Sequence, residues 1–185
     1  MSAMKHAVAR RRCALVLAVV LIILIAPVAA QRDLQPYRDP YERFSLQHPK
    51  SWQALFGVGA TLLTLFEKSG KASIQVEYFR LNQPLDAERD YDLIVQIESD
   101  LIRERQPKSD QLKAWPMRAD MPAVVIVEFT RPGLRGAERI RQFSLVKNAD
   151  LFRIMCVSSV AEFARFAPVF EQVARSFAIA TKRSE

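Results

Sequence analysis

Beyond the first thirty residues the chain carries one histidine, His48, and one cysteine, Cys156, and that scarcity decides which chemistry is open to it. A structural zinc site draws on about four ligands, several of them Cys or His, so these two residues do not make one. A serine hydrolase would need His48 and a nucleophile elbow of the form G-x-S-x-G, and no such run occurs. His48 stands directly before Pro49, the setting of an ordinary strand-end histidine. Cys156 follows Phe152 and Ile154 at period two, which turns its thiol toward a core as a small apolar filler of low reactivity. With Cys13 inside the first thirty residues, Cys156 has no partner for an intrachain bridge, and a redox role would need one.

Two charged groups remain. The carboxylates between Asp86 and Glu104 lack the alternating oxygens and central glycine of a calcium-binding loop. Acids near the start of a helix and Arg103 and Arg105 at its end complement the helix dipole, and solubility accounts for the rest. Arg131, Arg135, Arg139 and Arg141, interleaved with Pro132, Gly133 and Gly136, form the one basic cluster of the mature chain. Guanidinium forks suit carboxylate and phosphate, so these four are the candidate partner-binding residues, for an acidic protein or an anionic headgroup. The competing reading is a solvated hairpin loop partly neutralised by Glu128 and Glu138. No catalytic, cofactor-binding or metal-binding residue is expected, and no cofactor.

The elements that must position these groups follow from periodicity. Arg139–Lys147 and Leu151–Ser158 read as two strands, with Asn148, Ala149 and Asp150 as the turn between them. Phe163, Phe166, Ala167, Phe170, Val173, Ala174 and Phe177 recur at steps of three and four, an amphipathic helix with one aromatic face to bury. Pro168 belongs to its first turn or kinks it. Phe44, Leu46 and His48 alternate along a strand ended by Pro49, and Trp52 is a core ring. Ala60–Glu67 and Ala72–Leu81 flank Lys68 to Lys71 as a hairpin, with Ile74, Val76 and Tyr78 on one face and Gln75, Glu77 and Phe79 on the other. Tyr91–Arg105 is a helix with Ile94, Ile97 and Leu101 as its buried stripe, stopped by Gln106 and Pro107. Pro116 confines any strand in Leu112–Met117 to an edge. Ala123–Thr130 is the most β-prone run and a central strand, and Arg131–Glu138 is a loop.

The N-terminus has a different character. Met1–Arg12 is basic, Cys13–Ala26 is continuously apolar, and Pro27 to Ala30 supply a break and small residues before Gln31. That is the plan of a secretory signal over residues 1–30; the alternative is an uncleaved inner-membrane anchor through residues 13–30. Residues 31–42 form an extended lead-in, and residues 43–180 a single domain. Of 185 residues, with 27 basic and 20 acidic side chains, the first thirty hold four bases and no acid, leaving 23 against 20, a net of +3. Export and so small an excess argue against nucleic acid, and for contact with a membrane only where the anchor is retained.

Phe44 to Leu46 with Pro49 and Trp52, then Ala72 to Ile74 and Val76, then Cys156, then Phe163, Phe166, Pro168, Phe170, Ser176 and Phe177 together resemble the PsbP-like family. That family includes the photosystem II extrinsic protein and bacterial envelope proteins of the DcrB type. The resemblance implies an α+β fold, a three-layer α/β/α sandwich with a central antiparallel sheet, to which periodicity contributes about six or seven strands and two main helices. It supplies no catalytic motif. The expected function is that of an exported, non-enzymatic accessory or binding protein of the bacterial cell envelope, periplasmic or otherwise extracytoplasmic, whose partner is an envelope protein. The alternatives are a carrier of a small apolar ligand or lipid, in a helix/sheet cleft lined by Phe79, Trp115 and Phe143, and an enzyme dependent on His48. Oligomeric state is not legible.

Overall fold

The computed structural model describes residues 33–116 and 124–180. The signal or anchor expected over residues 1–30 lies outside the described residues, as do Met117 and Ala123. Among the described residues no helix is long and apolar enough to cross a membrane.

The chain order is β1 (Leu34–Arg38), β2 (Phe44–Pro49), β3 (Gln53–Phe56), β4 (Thr61–Phe66), β5 (Ala72–Leu85), α1 (Tyr91–Arg105), β6 (Asp110–Pro116), β7 (Val124–Gly133), β8 (Gly136–Ser159), α2 (Phe163–Ser176) and β9 (Ala178–Ile179). Six strands form one antiparallel sheet in the order β3-β4-β5-β8-β7-β6, and β1-β2-β9 form a smaller one. One face of the large sheet, with Ile74, Val76, Phe143, Phe152, Ile154 and Cys156, is covered by the aromatic face of α2 and by Phe44 and Leu46 of β2. Val125, Val127, Phe129 and Ile140 on the other face pack against Ile94 and Ile102 of α1. Helices on opposite faces give the expected α/β/α layering, with the small sheet sharing the α2 side.

Where sequence and structure agree, periodicity was strong. β2 buries Phe44, Leu46 and His48 in alternation. β4 and β5 form the expected hairpin, and Gly70 adopts a left-handed φ of 71° in its turn. β7 lies inside the sheet between β6 and β8, and β6, carrying Pro116, is an edge. In α2, Phe163, Phe166, Phe170, Val173 and Ala174 are buried; Pro168 lies inside the helix, past the first turn expected for it, and does not end it. Trp52 meets Phe166 and Phe170 edge-on at 6.2 and 6.5 Å.

Four expectations are corrected. The hairpin assigned to Arg139–Ser158 is one 24-residue strand, β8. Its first part pairs with β7, from Gly136 opposite Gly133 to Leu145 opposite Val124. Its second part pairs with β5 on the other side, from Asn148 to Ser158. Asn148 takes a φ of 56°, and across it the alternation inverts. Phe143 and Leu145 face α2 before it, Phe152, Ile154 and Cys156 after it. Asn and Asp tolerate left-handed backbone and turns alike, so the same residue types serve an irregularity within a strand. The loop Arg131–Glu138 is instead the end of a β7–β8 arm, closed by Leu134 and Arg135 between the paired Gly133 and Gly136. The lead-in contains β1, which joins the β2 sheet. Finally, α1 has the expected bounds but buries Ile94, Glu98, Ser99 and Ile102, leaving Ile97 and Leu101 half-exposed.

Candidate functional site

The four arginines singled out from the sequence do not form one surface. Glu128 and Arg141 are directly opposite on β7 and β8, and Thr130 is opposite Arg139. Side chains of such cross-strand neighbours share a face, here the one beneath α2. Glu128, 4% exposed, accepts from Arg139 Nε at 2.7 Å and from Arg141 Nε at 2.8 Å. Arg141 also donates to Glu171 of α2 at 2.8 Å. Both guanidiniums lie over the Phe163 ring, at 4.8 and 5.2 Å from its centre. Arg139 and Arg141 thus fasten α2 to the sheet at Phe163 and at Glu171, with two carboxylates balancing two cations.

Arg131 and Arg135 sit further along the arm. Arg131 Nε donates to Glu138 at 3.0 Å, again across the strand pair. The Glu138 side chain folds over Gly133 to do this, and a Cβ on Gly133 would stand 2.5 Å from its carboxylate. Gly136 takes a φ of 113°, reserved in practice for glycine. Between these glycines Leu134 is fully exposed, at 105%. Arg135 is exposed beside it and makes no ion pair among the described residues. Lys108, Thr130, Arg131 and Pro132 line an open depression of about 380 Å³ at the base of the tip. The arrangement offers an exposed apolar side chain, a cation without an ion pair among the described residues and a shallow hollow.

A second polar group, absent from the sequence reading, lies between α1 and the sheet. Glu98, 1% exposed, accepts from Ser144 Oγ at 2.9 Å, Gln142 Nε2 at 2.8 Å and Arg153 Nε at 2.9 Å. The attribution of all the α1 carboxylates to dipole and solubility therefore fails for Glu98, because Arg153 on the facing strand supplies its countercharge. The guanidinium of Arg153 lies 4.5 Å from the Phe79 ring centre, and that of Arg105 lies 6.0 Å from it. Half-buried Glu77 faces the same group; burial raises its carboxyl above the usual range, Arg153 and Arg105 oppose that rise, and Glu98 adds to it. The available signal was one of spacing: Glu98 falls four residues after Ile94 and four before Ile102. Among the described residues no buried side-chain nitrogen or oxygen is left without a hydrogen-bond partner.

His48 is 2% exposed. Nδ1–H donates to the Pro49 carbonyl at 3.0 Å, and Nε2 accepts from Gln35 Nε2 at 3.3 Å. Burial lowers its pKa, which keeps the ring neutral. Cys156 is wholly buried and burial pushes its thiol well above the usual range. No group of three or more metal-ligating side chains occurs among the described residues. The cleft expected between Phe79, Trp115 and Phe143 does not form. Phe79 lies on the α1 face, whereas Phe143 and Trp115 belong to the core on the α2 face.

No family model and no curated protein matches the sequence. Solved structures do. Cyanobacterial PsbP, CyanoP, from Synechocystis has 13% identity over 80% of this chain and 92% of its own, with a TM-score of 0.61. The Saccharomyces cerevisiae Ran-binding protein Mog1p has 10% identity over 80% and 95%, at 0.54. LpqN, involved in cell envelope biogenesis of Mycobacterium tuberculosis, has 6% identity over 80% and 91%, at 0.53.

Proposed function

Starting from the PsbP-like fold of this chain, we propose that it is an exported, non-enzymatic accessory protein of the cell envelope that works by holding another protein. The observation that carries this reading is the end of the β7–β8 arm. Leu134 is fully exposed there beside Arg135, on a tight turn between Gly133 and Gly136 that the Arg131–Glu138 pair flanks. An apolar residue that stands free at the end of an arm can fill a pocket of a partner. The adjoining cations, Arg135 and Lys108, suit an acidic rim around that pocket. The basic and apolar plan of residues 1–30 supports export. The neighbours add support of a coarser kind, since one is a Ran-binding protein and another is involved in envelope biogenesis.

Affinity capture from the envelope fraction tests the reading. Leu134→Ser with Arg135→Ala should reduce recovery of the captured protein by about tenfold, equivalent to about 1.4 kcal/mol, while the melting temperature stays unchanged. Full recovery by the double variant would remove the arm from the interface. Recovery of the protein in the cytosolic fraction with residues 1–30 intact would contradict export.

A further inference from the structure

The two edges of the large sheet are built differently. β6 carries Asp110, Lys113 and Pro116, the charge and proline that keep an edge from pairing with another chain. β3 at the opposite edge has none of these. All four of its residues, Gln53 to Phe56, are exposed, and no charged residue occurs from Gln53 to Phe66. Leu55, Phe56 and Val58 are 56%, 54% and 92% exposed, and Tyr41 stands beside Phe56 with ring centres 6.1 Å apart. Among the described residues β3 pairs with β4 alone.

We propose that β3 is the seam of a symmetric dimer in which two copies of the chain join their large sheets edge to edge. The ladder fixes the register. Gly57 N–H donates to the Leu62 carbonyl at 3.0 Å, with Phe56 opposite Leu63 and Leu55 opposite Thr64. Antiparallel bonding alternates, so Gly57, Leu55 and Gln53 bond toward β4, and the N–H and C=O of Ala54 and Phe56 point out of the sheet. An outward pair spaced by two residues is self-complementary under a two-fold axis through Leu55. Ala54 of each copy then exchanges both backbone hydrogen bonds with Phe56 of the other. Leu55 meets its own symmetry mate on one face, and Ala54 meets Phe56 on the other, so every pair across the seam except the flanking glutamine is apolar.

Charge singles out this edge for a second copy. A stretch without charge is where two identical copies approach at least electrostatic cost. An acidic partner would gain nothing there. The seam is short, below the roughly 1,200 Å² of total buried surface typical of stable complexes, so dimerisation is concentration-dependent and readily reversed.

Sedimentation velocity of the full chain across a concentration series tests the proposal, with Leu55→Lys, Leu55→Glu and Ala54→Pro as variants. Pro at position 54 removes an outward N–H and leaves the bonds to β4 in place. Each variant should weaken the dimer by about tenfold or more. Mixing the Lys and Glu variants should restore it, which a misfolded protein does not do. Leu134→Lys, at an exposed leucine away from the seam, should leave it intact. A monomer at every concentration would overturn the proposal, as would a dimer indifferent to the β3 variants. So would binding of neutral phosphatidylcholine vesicles through Phe56 and Val58 by a protein that stays monomeric, since the occupant of this edge would then be a membrane.

Discussion

Replacing Glu98 by Ala leaves the Arg153 guanidinium, 5% exposed, without its hydrogen-bonded carboxylate beneath α1, with only half-buried Glu77 near it. Breaking a buried pair from one side costs about 3–5 kcal/mol, whereas replacing both members with apolar residues of similar size is close to neutral. Urea unfolding should therefore show Glu98→Ala as the more damaged protein and Glu98→Leu with Arg153→Met near the parent; equal losses would mean that the pair contributes only its packing. Glu77 behaves oppositely. A carboxyl whose pKa is raised on folding contributes stability below the unfolded value of about 4.5, and that contribution is lost as pH rises through the folded value. Glu77→Gln should accordingly raise the melting temperature at pH 7 and give no gain near pH 4. The Cys156 thiol, buried with its pKa pushed up, should resist a maleimide in the native protein and react fully in denaturant. Labelling of the native protein at the denatured rate would show that the thiol is accessible.

Strand β8 carries the main lesson at the scale of elements. Its two halves were visible in the sequence, and so was the break at Asn148. Turn chemistry does not distinguish a chain that reverses from one that changes partners, and only the competition of β5 and β7 for its two sides decides. Asn148 at φ 56° makes this testable, because left-handed backbone costs a β-branched residue about 1–2 kcal/mol and costs glycine little. Asn148→Val should lower stability by about that amount in denaturant titration, and Asn148→Gly should not. Equal effects would remove the left-handed geometry as the cause. The aromatic stripe of α2 and both ends of α1 were legible because five buried positions, or a charge gradient followed by Pro107, all pointed one way. The buried face of α1 was not. Ile97 and Leu101 compete with Glu98 for the sheet, and hydrophobicity alone favours the wrong two. β3 carried no burial signal, since all four residues are exposed. The arginine cluster was legible as a cluster, but its division depended on strand register: Arg139 and Arg141 reach Glu128 only because β7 and β8 pair.

For the whole molecule, the proposed accessory role rests on what the α/β/α sandwich leaves exposed. Among the described residues, the β3 edge and the Leu134–Arg135 tip carry the most exposed large apolar side chains, Val58 and Leu134. The two proposals assign them different contacts, self-association at one and a partner at the other. The most direct measurement places a photo-crosslinking amino acid at position 135 in living cells, with position 103 on the exposed side of α1 as the comparison, and identifies the adducts by mass spectrometry. The account predicts one reproducible envelope protein joined at position 135 and absent at 103. The same adducts at both positions, or none at 135, would contradict it.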